Sequence, residues 1–347
     1  DVQDGLGRGK AWMGIALVPP YILRPLLLLA AMAGLLVSDS LHKKLVYDEF
    51  DNLAYGHRFL TEGPAAEMRG QRMPVLALNA LGCLSDGCRL KTLHASEWRR
   101  LAVRLPTIVF TLALGIVVFR WAGELFGPRA GLLALVLYAF QPTFLGHGKQ
   151  VTSDVPAAFF MTLAVYCFWK ALRGDGRGWP IAAGLAVAGG LAAKYTGVLA
   201  VPVLVVMAAA VRDRSGRRRT KALLIALLIA LVGINAVYLF DGSFQTAGAY
   251  AWKSAAFQGL GPSWMPIPLP RTFALGLDYS RVLQEDPSLG RGANYVLGEL
   301  NRDGRWYAFP LMIFLKTPLA TFALLALALW RARPPASVLW TLLGPPA

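Results

Sequence analysis

The chain has 347 residues, of which 56% are hydrophobic and 16% are charged, and its mean hydropathy is +0.48. Soluble globular domains have about 25% charged residues, so this composition excludes an ordinary soluble protein. The net charge is +15, but no stretch interleaves basic and aromatic residues as a single-strand nucleic-acid groove does. We therefore expect a membrane protein whose excess cations set its orientation and contact anionic lipids, with no nucleic-acid partner.

The apolar runs are continuous, and several approach the roughly 20 residues that cross a bilayer. They predict a polytopic all-α protein rather than an outer-membrane barrel, whose strands would alternate. The run 180–211 is too long for one helix and carries Lys194 near its middle, so we expect two short spans that meet there. The six other predicted spans cover about 15–37, 101–119, 129–145, 155–171, 222–240 and 306–330.

Short basic loops predict the orientation of these eight spans. With the N-terminus in the cytoplasm, every basic cluster falls on the cytoplasmic side. These clusters are Arg8 with Lys10, Arg120 with Arg129, Lys170 with Arg173 and Arg177, the run from Arg212 to Lys221, and Arg331 with Arg333. Two long segments, 38–100 and 241–305, then lie on the opposite face, where we expect them to be partly helical. Loops of this length are usually functional.

We expect one membrane domain over 1–347, with no internal repeat. The numbering starts at Asp1, and the last residues follow what reads as the start of another apolar run. The sequence is therefore expected to be part of a longer chain, incomplete at its C-terminus. No cleavable signal peptide is evident.

An acidic pair, Asp48 and Glu49, follows the first predicted span, with Asp51 close behind. Anchoring and orienting a helix is the work of Lys, Arg, Trp and Tyr, so it does not require these acids. They could be solvated residues that favour a helix N-terminus. Alternatively, a carboxylate at the lipid–water boundary is partly desolvated, which raises a carboxyl pKa toward the range of a general base.

The connection between the third and fourth predicted spans carries His147, Lys149 and Asp154 together, among two Gly and two Pro that indicate a specific backbone. Asp154 also lies where an N-cap would, just before Pro156. Capping accounts for Asp154 but leaves His147 and Lys149 unexplained.

Two lysines fall inside predicted apolar segments. Lys194 is costly in lipid and is therefore a functional candidate, with snorkelling to the interface as the alternative. Trp306 and Tyr307 are typical of an interfacial belt. Lys316 falls roughly 15 Å along the last predicted span, so we expect it to face a polar cavity.

The first long segment also carries Cys83 and Cys88, which flank an Asp-Gly turn. We favour a structural disulfide, because disulfides persist on the non-cytoplasmic face. A zinc site is less favoured, because no second Cys pair or paired His accompanies them. Cys167, in the fourth span, is interpreted as a packing residue.

The order and positions of these motifs make the chain resemble the GT-C glycosyltransferases that use polyprenyl-phosphate-linked sugars. Within them, it most resembles the protein O-mannosyltransferase (family 39) group and its bacterial relatives. The resemblance extends from about residue 20 to 330. Its pieces are Asp48-Glu49, the stretch from His147 to Pro156, Lys194-Tyr195-Thr196, and Trp306-Tyr307 through Lys316-Thr317-Pro318.

The resemblance implies a GT-C-like bundle and an inverting transfer of mannose or a similar sugar on the non-cytoplasmic face. It implies that Asp48 is the catalytic base, with Glu49 beside it and Asp154 as the second acid. The chain departs from the mannosyltransferases in ending near residue 347, without their later spans or lumenal domain, which leaves acceptor recognition open.

The chemistry of such a transfer agrees with the residues. A base must take the acceptor proton, and cations must stabilise the leaving phosphate. The predicted substrate-binding residues on this face are His147, Lys149, Lys194, Tyr195 and Lys316. No Gly-rich phosphate loop follows a strand, so a nucleotide-sugar donor is not expected.

The expected partners are a polyprenyl-phosphate sugar, a protein, lipid or glycan acceptor, and membrane lipids. We assign no metal and no cofactor. The expected location is a bacterial inner or plasma membrane, with the site facing the periplasm or the outside. The alternatives are a transporter or flippase for a lipid-linked sugar, which would call for inverted repeats, and a non-catalytic lipid-binding subunit.

Overall fold

The structure is a computed structural model that describes residues 20–64, 73–211, 216–259, 261–285, 294–301 and 305–331. Several features of the predicted topology lie outside these residues. They are the start of the first span, the final apolar run, and the cations Arg8, Lys10, Arg212, Arg214 and Arg333.

Most of the described residues are helical and strands are nearly absent among them, which confirms the predicted fold class. The helices up to the middle of the chain are α1 (Pro20–His42), α2 (Tyr47–Glu62), α3 (Leu76–Ala80), α4 (Leu90–Ala95), α5 (Glu97–Phe126), α6 (Pro128–Ala139), α7 (Pro142–His147) and α8 (Asp154–Arg173). The later helices are α9 (Trp179–Ala193), α10 (Ala200–Ala210), α11 (Gly216–Val237), α12 (Ala255–Gln258), α13 (Arg271–Glu285), α14 (Ala308–Lys316) and α15 (Leu319–Arg331). Short 3-10 turns cover Leu81–Asp86, Tyr195–Leu199 and Ala247–Ala249, and the strands β1 (Asn294–Val296) and β2 (Glu299–Asn301) form an antiparallel hairpin.

Each predicted apolar segment is mostly helical where it is described, but the helices differ in length. Among the described residues, α1, α5, α8 and α11 are long and apolar enough to cross a membrane, whereas α6, α9 and the Tyr195–Ala210 helix are shorter. The expected break at Lys194 is present, because α9 ends at Ala193 and a 3-10 turn follows.

The span predicted over about 306–330 is not one continuous helix. Helices α14 and α15 are together long and apolar enough for a span, but they meet at 102° across a short break. Pro318 separates them, and because proline lacks an N–H and restricts the residue before it, a helix is not expected to continue through Thr317. Lys316 therefore lies at the bend, and its side chain is exposed rather than deep in a straight span.

The long helices run back and forth, so that their ends collect at two poles. Lys170 near the end of α8 donates to Glu124 near the end of α5 at 2.9 Å. At the other pole, Lys194 after α9 donates to Asp154 at the start of α8 at 2.5 Å. Arg104, near the start of α5, shares this second pole with the end of α1. We call it the acidic pole, because Asp48, Glu49 and Asp154 lie there.

Small residues allow the helices to pack closely. Gly184 of α9 lies against the backbone of Ala226 of α11, where an added Cβ would collide. Close approach through small residues is the usual way in which helices associate in lipid. Cys167 is buried in this core, as predicted.

The two long segments are partly helical where they are described, as predicted. In the first, Cys83 and Cys88 form a disulfide, which confirms the expected bond. In the second, buried Asp278 of α13 accepts hydrogen bonds from the backbone N–H of Lys253 and Ser254 at 2.8 and 3.0 Å. This carboxylate fixes the turn before α12.

Candidate active site at the acidic pole

The centre of the acidic pole is a buried ion pair between Glu49 and Arg104, whose side chains are 0% and 1% exposed. The guanidinium binds the carboxylate at two points, with Nε 2.9 Å from Oε1 and Nη2 2.8 Å from Oε2. Such forked pairing is geometrically specific and stronger than a neutral hydrogen bond. Glu49 is thereby neutralised, which explains how its charge can be buried.

Arg104 also holds the end of α1. It donates to the carbonyls of Ser40, Lys43 and Lys44 at 3.2, 2.9 and 3.0 Å. Arg100, one turn earlier on α5, donates to the Leu41 carbonyl at 2.7 Å. The last carbonyls of a helix have no intrahelical partner and carry partial negative charge, so two cations satisfy them well.

The Glu49 carboxylate also accepts hydrogen bonds from two backbone N–H groups. Oε2 accepts from the Val46 N–H at 2.8 Å, which satisfies a free donor at the start of α2. Oε1 accepts from the Val151 N–H at 3.0 Å, 102 residues further along the chain. A single carboxylate therefore joins α2, α5 and the loop between α7 and α8, so its geometry is that of a positioning residue.

Two more contacts fix this loop against the same helices. Asn52 of α2 donates to the Val151 carbonyl at 2.8 Å, and the Thr111 hydroxyl of α5 lies 2.6 Å from the Gly148 carbonyl oxygen. A Cβ at Gly148 would collide with Phe144 and Thr111, so the close approach requires glycine. The loop that leads to Asp154 is therefore fixed by contacts from both α2 and α5.

Asp48 differs from its neighbour. Its side chain is exposed, and among the described residues no hydrogen bond or ion pair engages it. Residues three or four apart share a helix face, so Asp48 lies one turn before Asn52, which contacts Val151. A carboxylate in this position can reach a bound molecule while the adjacent Glu49 cannot.

Asp154 and Lys194 form a second, open ion pair at this pole. Their side chains are 58% and 30% exposed. Helix α8 begins at Asp154 itself, with Ser153 before it, and the Asp154 carboxylate is bound by Lys194 rather than by a backbone N–H. The capping interpretation of Asp154 is therefore not supported by this geometry.

The loop cations take separate positions. The Lys149 ammonium is buried and pairs with Asp39 of α1, which also binds Lys43 at 3.0 Å. Burial lowers the pKa of Lys149, because the charged form loses its hydration. The exposed His147 side chain contacts Gln150 at 3.1 Å. In the described residues, neither contacts the Asp154–Lys194 pair.

Tyr195 is buried rather than open to the surface. Its ring lies 5.4 Å from that of Phe273 of α13, which in turn lies 6.1 Å from Tyr238. The hydroxyls of Tyr195 and Tyr238 have no hydrogen-bond partner in the described residues. Gly276 lies directly over the Tyr195 hydroxyl, where a Cβ would collide. The second long segment therefore covers this side of the site.

Lys316 is not part of this arrangement, since no described hydrogen bond or ion pair joins its exposed side chain to the acidic pole. Among the described residues, no group of three His, Cys, Asp or Glu side chains could hold a metal ion.

Sequence reasoning missed Arg104 and Arg100. Both lie at the start of a predicted span, where flanking arginines are ordinary. One signal in the sequence could have found them. Arg104 lies inside the predicted span 101–119, four residues after Arg100, and an arginine within a span needs a partner.

Comparison with known proteins agrees with the predicted resemblance. Residues 92–240 match the family described as dolichyl-phosphate-mannose-protein mannosyltransferase, which is less than half of the chain. Among curated protein sequences, none is significantly similar. The matched segment includes Arg104, Asp154 and Lys194.

The solved structures that resemble this chain include an archaeal oligosaccharyltransferase, AglB from Archaeoglobus fulgidus, in complex with an inhibitory peptide and a dolichol-phosphate. It has a TM-score of 0.51 and 14% identity, and the match covers 88% of this chain and 36% of AglB. The chain therefore shares the GT-C fold of this oligosaccharyltransferase. Structures of the Archaeoglobus fulgidus oligosaccharyltransferase with zinc and sulfate and in the apo form give TM-scores of 0.49 and 0.48 at 15% and 16% identity, covering 86% and 90% of this chain and 39% of each.

The chain therefore spans little more than a third of the oligosaccharyltransferase it matches. The family match supports a glycosyltransferase, and the long apolar helices support an integral membrane protein. At this identity, the structural likeness establishes the fold alone.

Proposed function

We propose that this protein is an inverting glycosyltransferase that moves a sugar, mannose or a similar hexose, from a polyprenyl-phosphate donor to an acceptor hydroxyl. The reaction would take place on the non-cytoplasmic face of a bacterial inner or plasma membrane. The observation that carries the proposal is the difference between the neighbouring carboxylates, since Glu49 is fully bound inside the protein and Asp48 is exposed without a partner in the described residues.

In the proposed step, the acceptor oxygen attacks the anomeric carbon while the bond from that carbon to the phosphate oxygen breaks. Asp48 takes the proton of the acceptor hydroxyl as general base. The bond electrons leave with polyprenyl phosphate, whose charge requires a nearby cation. Attack from the face opposite the leaving group inverts the anomeric configuration.

Lys194 is the best-placed cation for that phosphate, because it is partly exposed and its partner is an open carboxylate. Asp154 would hold the ammonium until a donor arrives and would act as the second acid. His147, which is exposed on the neighbouring loop, would contribute a hydrogen bond, whereas Lys149 is held by Asp39 and would add only to the local field. Tyr195 would contribute a hydroxyl if α13 moves. Lys316 could contribute only by moving toward the acidic pole.

The test uses the purified protein in nanodiscs with a polyprenyl-phosphate sugar and candidate protein, lipid and glycan acceptors. We expect acceptor-dependent release of polyprenyl phosphate, and its loss in Asp48→Asn. The matched control is Glu97→Gln, an exposed acid in the first turn of α5, which should leave turnover unchanged.

Two results would contradict the proposal. Undiminished release by Asp48→Asn would remove the base assignment. Movement of the sugar lipid across the bilayer of sealed vesicles, without cleavage of the phosphate bond, would instead favour a flippase.

A further inference from the structure

The basic run at the start of α11 divides into cations that bind the protein and cations that do not. Arg218 lies against the backbone of Gly174, and Arg219 donates to the Ala208 carbonyl at 3.2 Å. Arg217 and Lys221 are exposed, and neither has a hydrogen bond or ion pair within the described residues. Two of four neighbouring cations are thus left for an external partner.

These two cations border a surface groove on α11. The groove is shallow and largely open, with a volume of about 440 Å³, and its lining within the described residues comes from α11 alone. Its lining residues are Arg217, Thr220, Lys221, Leu224, Ile225 and Leu228. The spacing of three and four residues puts them on one face of the helix, polar at the start and apolar beyond.

The position of the groove determines what it could hold. Helix α11 is one of the four helices that are long and apolar enough to cross a membrane, and the cations lie in its first two turns. They would therefore lie at headgroup level, with Leu224 and Leu228 at acyl-chain level. From Lys221 to Leu228 the helix rises about 10 Å, the length of several methylene groups.

We propose that this groove binds one anionic glycerophospholipid, with its phosphate between Arg217 and Lys221 and an acyl chain along Leu224, Ile225 and Leu228. Charge complementarity favours an anionic lipid, since the described lining has two cations and no carboxylate. The Thr220 hydroxyl donates to the Gly216 carbonyl at 3.1 Å, so it is left to act as an acceptor toward a headgroup. The site is at the pole opposite Asp154 and does not depend on the transfer reaction.

The test is native mass spectrometry of the full protein in neutral detergent, titrated with palmitoyl-oleoyl phosphatidylglycerol or phosphatidylcholine. We expect phosphatidylglycerol to bind more tightly. The double variant Arg217→Gln/Lys221→Gln should weaken this binding by about thirtyfold, the value expected for two cations near a charged headgroup. Ile225→Trp, which fills the groove, should weaken both lipids.

The matched control is Arg24→Gln/Arg129→Gln. It removes the same charge from exposed positions at the same pole, where the described residues provide no ion-pair partner. It should change phosphatidylglycerol binding less than about twofold.

Three outcomes would overturn the proposal. The two double variants could weaken binding equally, which would reduce the effect to overall charge. Glycerol phosphate without acyl chains could compete as well as the lipid. The variant Leu228→Cys could resist labelling in lipid-free protein, which would mean that another protein segment covers the groove.

Discussion

Both ion pairs of the acidic pole join a carboxylate to a cation, but one pair is buried and the other is partly exposed. Glu49 and Arg104 are shut inside the protein and bind five backbone groups of the chain between them. Asp154 and Lys194 are partly exposed and bind each other. A charge whose hydrogen bonds are all satisfied internally serves structure, whereas a charge that keeps solvent contact can exchange its partner for a substrate. This difference distinguishes the pair that holds the fold together from the pair that could take part in catalysis.

The largest predicted effect comes from breaking the buried pair. Arg104→Met should lower the free energy of unfolding by about 3–5 kcal/mol, because it leaves Glu49 charged and buried. Denaturant unfolding in detergent measures this change. The matched control is Arg58→Met, which breaks an exposed pair with Glu62 on α2 and should cost at most about 1 kcal/mol.

A double variant sharpens this result. Arg104→Met with Glu49→Leu removes both charges and should recover part of the loss. If the double variant were as unstable as the sum of the two single variants, the charge of the unpaired partner would not be the cause.

The disulfide should have an intermediate effect. Cys83→Ala/Cys88→Ala opens a small ring next to the start of α5, and the loss of loop closure should cost about 2 kcal/mol. Thermal unfolding with and without reductant measures it. Reduction of the wild type should give the same shift, and reduction of the variant none. If the variant were as stable as the oxidised wild type, the disulfide would not stabilise the fold.

The smallest effect on stability is expected from the open pair. Lys194→Gln should change the free energy of unfolding by at most about 1 kcal/mol. If Lys194 binds the donor phosphate, this variant should raise the KM for the donor by about tenfold or more.

Steady-state kinetics of Asp154→Asn provides the comparison for the open pair. It should lower kcat more than it changes KM. Identical kinetics of Lys194→Gln and Asp154→Asn would mean that the lysine serves only the aspartate.

The sequence predicts the apolar helices, the break at Lys194 and the disulfide, because each depends on local pattern. It does not predict the bend between α14 and α15, although Pro318 was the available sign. Local sequence pattern also does not show that Asp48 and Glu49 have different roles. It depends on Arg104 and Val151, which lie 55 and 102 residues from Glu49.

The predicted cations show the same limit. Lys149 and Lys194 both lie near Asp154 in the sequence-based topology, but the structure buries Lys149 against Asp39 and leaves Lys194 open. Which carboxylate a lysine selects is decided by how the helices pack. The roles of all the predicted site residues stay predictions until they are tested by activity.

One paired measurement tests the division of labour between Asp48 and Glu49 most directly. Asp48→Asn and Glu49→Gln each remove one negative charge with little change of shape. Each variant would be measured for unfolding free energy and for single-turnover release of polyprenyl phosphate by the folded protein. We expect Asp48→Asn to be as stable as the wild type but slower by about 10²–10⁴-fold, and Glu49→Gln to be strongly destabilised. Retained turnover in Asp48→Asn, or equal destabilisation of both variants, would contradict the account.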